Sequence, residues 1–96
     1  MAANAAKALR LGPRLKELRI HLCQKTSASQ GVREFIETEY VPIKQNNPNF
    51  PVLIRECRGI QPRVWARYEL GQESSSSLSN LSKDEVMTVV TKIATA

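Results

Sequence analysis

Two short β-type runs, Arg19-Ile20-His21-Leu22-Cys23 and Val52-Leu53-Ile54-Arg55-Glu56-Cys57, each end on a cysteine, and a single helix-length amphipathic segment separates them. That order predicts strand, crossover helix, strand, the unit that lays two strands side by side and parallel. It puts two thiols at the same end of neighbouring strands. A third apolar run, Val64-Trp65-Ala66-Arg67-Tyr68, follows Gln61-Pro62. A chain of 96 residues has room for one domain, in which one sheet with two helices is close to the limit.

From Lys16 to Cys23 apolar Leu18, Ile20 and Leu22 alternate with Arg19, His21 and Cys23, the pattern of a half-buried strand. Ser27 with Gln30 fits a capping box at a helix start. The helix is expected over 30–45, with Val32, Phe35, Ile36, Tyr40 and Ile43 as its apolar stripe. Pro42 removes an amide donor there and crowds the carbonyl of Thr38, which predicts a kink or an end near Val41. Asn46-Asn47-Pro48-Asn49 is a turn signal. Pro51 to Cys57 is the second strand, and the serine-rich stretch 74–79 is assigned to a short edge strand. Ser82 with Glu85 forms a second capping box, opening a helix whose stripe is Val86, Val89, Val90 and Ile93.

The formal net charge of +5 invites a nucleic-acid or anionic-lipid reading. Its distribution argues otherwise. Lys7, Arg10, Arg14 and Lys16 stand in the first 16 residues without an acid among them, so the rest of the chain is close to neutral. Residues 1–15 are therefore assigned to a flexible basic segment and 16–96 to the domain. The segment is basic, acid-free and rich in Ala, as mitochondrial import signals are, although it lacks Ser; a plain basic tail is the alternative. No apolar run approaches the roughly 20 residues that span a bilayer.

The chemistry-bearing residues are few. Adjacent parallel strands lie about 4.8 Å apart, within reach of a disulfide between Cys23 and Cys57; two unpaired strand-end thiols are the plainer alternative. Thiol redox enzymes carry C-x-x-C at a helix start, but here the stretch is Cys23-Gln24-Lys25-Thr26, with no second cysteine, so no catalytic residue is expected. Lys25 is the nearest group able to lower the Cys23 pKa. His21 and the two cysteines lack the close ligand pairs of a metal site, so none is expected. Gly59-Ile60-Gln61-Pro62 before an apolar strand resembles the thioredoxin pattern, which makes Pro62 a candidate cis-proline. The polar parity of three strands collects Arg19, His21, Arg55, Arg63, Trp65 and Arg67 on one face, with both helices expected on the other. Arg with Trp on an uncovered sheet face is the composition of a protein-binding surface. RNA-stacking platforms offer several aromatics; this face has one.

With those residues in place, the chain resembles the small thioredoxin-like accessory subunits of mitochondrial respiratory complex I. The likeness rests on Leu18-Arg19-Ile20-His21-Leu22-Cys23-Gln24, Ser29-Gln30-Gly31-Val32-Arg33-Glu34-Phe35-Ile36, Ile54-Arg55-Glu56-Cys57, and Gln61-Pro62 through Trp65-Ala66-Arg67-Tyr68 to Gly71-Gln72-Glu73. It implies an α/β, two-layer thioredoxin-like domain of order β-α-β-β-β-α, a mixed sheet with both helices on one face. It also implies a non-catalytic, nuclear-encoded peripheral subunit on the matrix side of the inner membrane, beside the NADH-oxidising arm. Such a subunit supports assembly and stability, has no cofactor of its own, and carries a cysteine pair at matching positions that can be bridged under oxidising conditions. The same domain type occurs in certain mitochondrial ribosomal proteins. That kinship and a thiol-disulfide oxidoreductase are the two alternative functions.

Overall fold

The computed structural model describes residues 14–95. The expectation for the basic N-terminal segment lies outside the described residues, apart from its last two positions. β1 begins there, at Leu15. Strand β1 (Leu15–Leu22) leads through a 3-10 turn (Ser27–Ser29) into α1 (Gln30–Asn46). Then come β2 (Val52–Glu56), β3 (Arg63–Tyr68), a second 3-10 turn (Glu69–Gly71), β4 (Glu73–Ser77) and α2 (Lys83–Ala94). The sheet order is β2-β1-β3-β4. β1 and β2 run parallel, joined by the α1 crossover, while β1–β3 and β3–β4 are antiparallel. This is the mixed-sheet, two-layer thioredoxin-like arrangement, and the serine-rich stretch is its edge strand.

Strand parity sorts the two faces. Leu18, Ile20, Leu22, Val64 and Ala66 are buried in one cluster with Val32, Phe35 and Ile43 of α1 and Val86, Val90 and Ile93 of α2. Both helices therefore cover the same face. Each large side chain in that cluster stabilises the fold by about 1.5–3 kcal/mol relative to exposure. The Tyr68 hydroxyl donates to the carbonyl of Ile93 at 2.6 Å, fastening the end of β3 to the last turn of α2.

Three local expectations are corrected. Of the two outcomes expected at Pro42, the end near Val41 does not occur; α1 continues through Pro42 to Asn46. Its last turn is held by the burial of Ile43 and by Asn47, whose backbone N–H and Nδ2 both donate to the Ile43 carbonyl at 3.0 Å. The Ser27–Gln30 capping box does not form, because 27–29 wind into a 3-10 turn and Ser29 becomes the residue before the helix. Ser29 is fully buried, and its Oγ accepts the Cys23 N–H at 3.1 Å, so it ties the helix start to the end of β1. The third is Pro62, whose peptide bond is not cis. At α2 the expected reciprocal box is present: Glu85 N–H donates to Ser82 Oγ at 3.2 Å, and Ser82 N–H donates to Glu85 Oε1 at 2.9 Å.

The helix starts meet through backbone. Asn80 sits in the left-handed region (φ 61), which its short polar side chain tolerates, and its N–H donates to the Ala28 carbonyl at 3.0 Å. The turn that follows presses Leu81 onto Gly31 of α1.

Candidate functional site: a thiol corner and an open sheet face

The parallel ladder extends one residue past β2, since Cys57 N–H donates to the Leu22 carbonyl at 3.0 Å. Cys57 thus stands beside the β1 terminus, next to Cys23. Their environments differ: Cys23 is buried, Cys57 exposed, and both are free thiols in this structure. The Cys57 thiol faces the Arg58 carbonyl at 3.9 Å. Cys23 Sγ accepts the Gly59 N–H at 3.3 Å. Gly59 reaches it because φ is 76 at that position, a left-handed conformation suited to glycine, and the chain turns there.

Backbone N–H groups of Lys25, Gly59 and Thr26 hold the Cys23 thiol down to about 6, and the cost of burial opposes them only in part. Lys25 acts through its amide, whereas the sequence had suggested its ammonium. A group depressed in the folded state adds stability that is complete above its unfolded pKa, near 8.5–9, and is lost as pH falls through the folded value. The stability difference between the native chain and Cys23→Ser should therefore grow in favour of the native chain from pH 6 to pH 9. Urea melts at several pH values measure it; a difference flat with pH contradicts a thiolate held by these amides.

The Gln61–Pro62 bond is trans, so Pro62 is not the cis-proline expected. Gly59 already supplies the close backbone approach to the cysteine, and Pro62 opens β3 in the ordinary isomer of an X–Pro bond. It is buried, and its carbonyl accepts the Leu78 N–H at 3.0 Å. Among the described residues no group of three or more His, Cys, Asp or Glu is placed to hold a metal ion.

The second part of the site is the face away from the helices. Register places Arg55, His21 and Arg63 in one row across β2, β1 and β3, and Leu53, Arg19 and Trp65 in the next. Glu17, Arg67 and Glu73 form the row beyond. All six residues singled out from sequence share this face, and Trp65 is half-buried on it rather than in the core. The His21 and Trp65 rings lie 6.4 Å apart, tilted at 44°. Burial, then the charges of Arg19 and Arg55, push the His21 pKa below its usual value.

Sequence reasoning missed the partners that tame part of this face. Arg19 lies 3.2 Å from Glu17 and 3.1 Å from Glu73, and Arg67 lies 3.7 Å from Glu17. Arg63 Nη1 donates to Ser75 Oγ at 2.8 Å. The parity of Glu17 with Arg19 was a readable signal. The contributions of Glu73 and Ser75 depend on the register of β4, which four consecutive serines do not encode.

A thioredoxin-like sheet, no C-x-x-C, a thiol pair split between two strand ends, and an Arg-rich face with one Trp define a class: a small thioredoxin-like domain without the redox motif. Residues 32–83 match the family described as mitochondrial ribosomal protein L51 / S25 / CI-B8 domain. The chain is 55% identical over 85 residues to NADH dehydrogenase [ubiquinone] 1 alpha subcomplex subunit 2 of Mus musculus, an alignment covering 88% of this chain and 84% of that protein. The Arabidopsis thaliana protein of the same name is 47% identical, over 76% of this chain and 75% of its own. The NADH-ubiquinone oxidoreductase 10.5 kDa subunit of Neurospora crassa is 39% identical, over 82% and 84%. The chain belongs to the L51 / S25 / CI-B8 domain family.

Proposed function

We propose that this chain is a non-catalytic accessory subunit of mitochondrial complex I, bound peripherally on the matrix side beside the NADH-oxidising arm, where it supports assembly and stability. The observation that carries the reading is that the animal and plant relatives share one name, and the fungal relative is named as a subunit of NADH-ubiquinone oxidoreductase, each aligned along most of the chain. The open face gives it a mechanism: Trp65, Arg19, His21, Arg55, Arg63 and Arg67 form the docking surface, while the helices complete the domain's own core. Among the described residues no helix is long and apolar enough to cross a membrane, in keeping with a peripheral position. Native-gel co-migration of the tagged chain tests the reading. Migration with complex I is expected; migration with the mitochondrial ribosome would overturn it in favour of the other branch of the family.

Cys23 and Cys57 form the redox-sensitive part of the proposal. Two thiols joining under peroxide give one S–S bond and two waters, the peroxide taking two electrons and both thiol protons. A bridge closing about 35 residues is expected to add about 3–4 kcal/mol on chain entropy. Peptide mapping after mild oxidation should recover a Cys23–Cys57 cross-link within one chain. Exclusively intermolecular dimers would contradict it. The depressed Cys23 pKa is the one observation that favours an oxidoreductase, and an insulin-reduction assay tests that alternative. Turnover is not expected, because the buried thiol has no second cysteine within its own loop.

A further inference from the structure

The open face divides into two electrostatic halves. At one end Glu17 and Glu73 hold Arg19 and Arg67 in ion pairs, so that end is internally satisfied. At the other, Arg55, His21 and Arg63 stand side by side in register without an acid. Among the described residues Arg55, which is exposed, forms no ion pair, and the acceptor of Arg63 is the Ser75 hydroxyl. Glu56, next to Arg55 in sequence, takes the opposite parity and lines a groove with Arg33, Ile36 and Glu37 on the helix side. Residues 1–13 contain Lys7 and Arg10 and no acid, so that segment cannot neutralise the row. A second copy of the chain would bring cations against the same cations.

We infer that this end of the face receives an acidic segment of the partner protein, whose carboxylates pair with Arg55 and Arg63 while its apolar groups cover Trp65 and Leu53. The inference rests on the docked-subunit reading and names the chemistry of the partner. Guanidinium groups match carboxylates with two parallel hydrogen bonds, stronger than neutral contacts. In the neighbouring row Leu53 and Trp65 flank Arg19, which is already paired with Glu17 and Glu73, and supply the apolar part of the contact. RNA phosphates would also attract the row, but one aromatic makes a poor stacking platform.

A charge series tests this in cells lacking the native chain. Full-length R55K/R63K, R55Q/R63Q and R55E/R63E are expressed, and their content in complex I is read on native gels. The lysine pair, which keeps the charge but loses the two parallel hydrogen bonds, should enter at a reduced level, the glutamine pair less again, and the glutamate pair should fall at least about tenfold, as for reversal of a buried charged contact. Native-level entry of the glutamate pair, or equal loss of the lysine and glutamate pairs, would overturn the inference. In parallel the free full-length chain is titrated with a synthetic glutamate-rich peptide, poly(U) RNA and phosphatidylglycerol vesicles. Salt-sensitive peptide binding, lost in R55E/R63E, is expected. Binding to RNA or vesicles without peptide binding would refute it, even where a glutamate variant proves too unstable for the gel assay. Failure of the unaltered chain to co-migrate with complex I sinks the docked-subunit reading instead, and the peptide titration still judges the charge chemistry.

Discussion

Replacing Gly31 with alanine should cost the domain more than about 3 kcal/mol, a large share of the 5–15 kcal/mol that holds a small domain folded. In an exposed helix the same change gains about 1 kcal/mol of helix propensity. The sign reverses here because of what the new methyl would meet. A Cβ at Gly31 would stand 1.8 Å from the Leu81 carbonyl oxygen, 2.9 Å from the Leu81 carbonyl carbon and 3.0 Å from that of Ser82. All three are backbone atoms, so no side chain can rotate aside. Relief would require α1 and the 78–82 turn to separate, which disturbs the Asn80–Ala28 hydrogen bond and the buried Leu78. Urea melts of the full chain measure this, with exposed Gln30→Ala as the control, expected within about 0.5 kcal/mol of native. A G31A midpoint equal to the native one would mean that α1 and the 81–82 backbone do not approach so closely.

Trp65→Ala should have the opposite profile: a folded chain that no longer assembles. Trp65 is half-buried against cross-strand neighbours Arg19 and Ser75 and the His21 ring, outside the core cluster. Its loss should lower free-domain stability by less than about 1 kcal/mol, the scale of such cross-strand pairs. A central aromatic anchor in an interface carries about 2 kcal/mol or more, so affinity for the complex should fall by about thirtyfold. Thermal melts of the free chain beside native gels of the complex separate the two effects. A fall of several kcal/mol in the melt would make Trp65 a core residue. Normal melting with normal assembly would leave it a solvated side chain.

The faces of the sheet were legible because strand parity is a two-residue period that few alternatives can imitate. Once Leu18, Ile20 and Leu22 fix the inner face of β1, Arg19 and His21 must lie outside, and β3 follows by the same rule. The second capping box was equally plain, since Ser82 and Glu85 satisfy each other within four residues. What escaped was decided at longer range. Pro42 signals a break by local rules, yet Ile43 buries itself in the core and Asn47 closes the last turn, so tertiary packing carries the helix through. Ser27 has the right spacing for a cap, but Ser29 is drawn inward by the Cys23 amide and takes the position before the helix. Pro62 gave a thioredoxin-like signal, while Gly59, past the crossover helix and β2, had already provided the backbone donor at the thiol. Gly31 looks like a mere helix weakness until the 81–82 turn is placed against it.

In the proposed assembly the face opposite the helices joins this chain to complex I. Photo-cross-linking inside the assembled complex tests it most directly. A photoreactive phenylalanine is placed at Trp65 on the open face, and at exposed Glu37 or Thr88 on the helices in parallel chains. Irradiation of purified complex I should give an adduct between position 65 and another complex I subunit, with little or none from positions 37 and 88. Adducts from the helix positions alone, with position 65 unreacted in a fully assembled complex, would contradict the account.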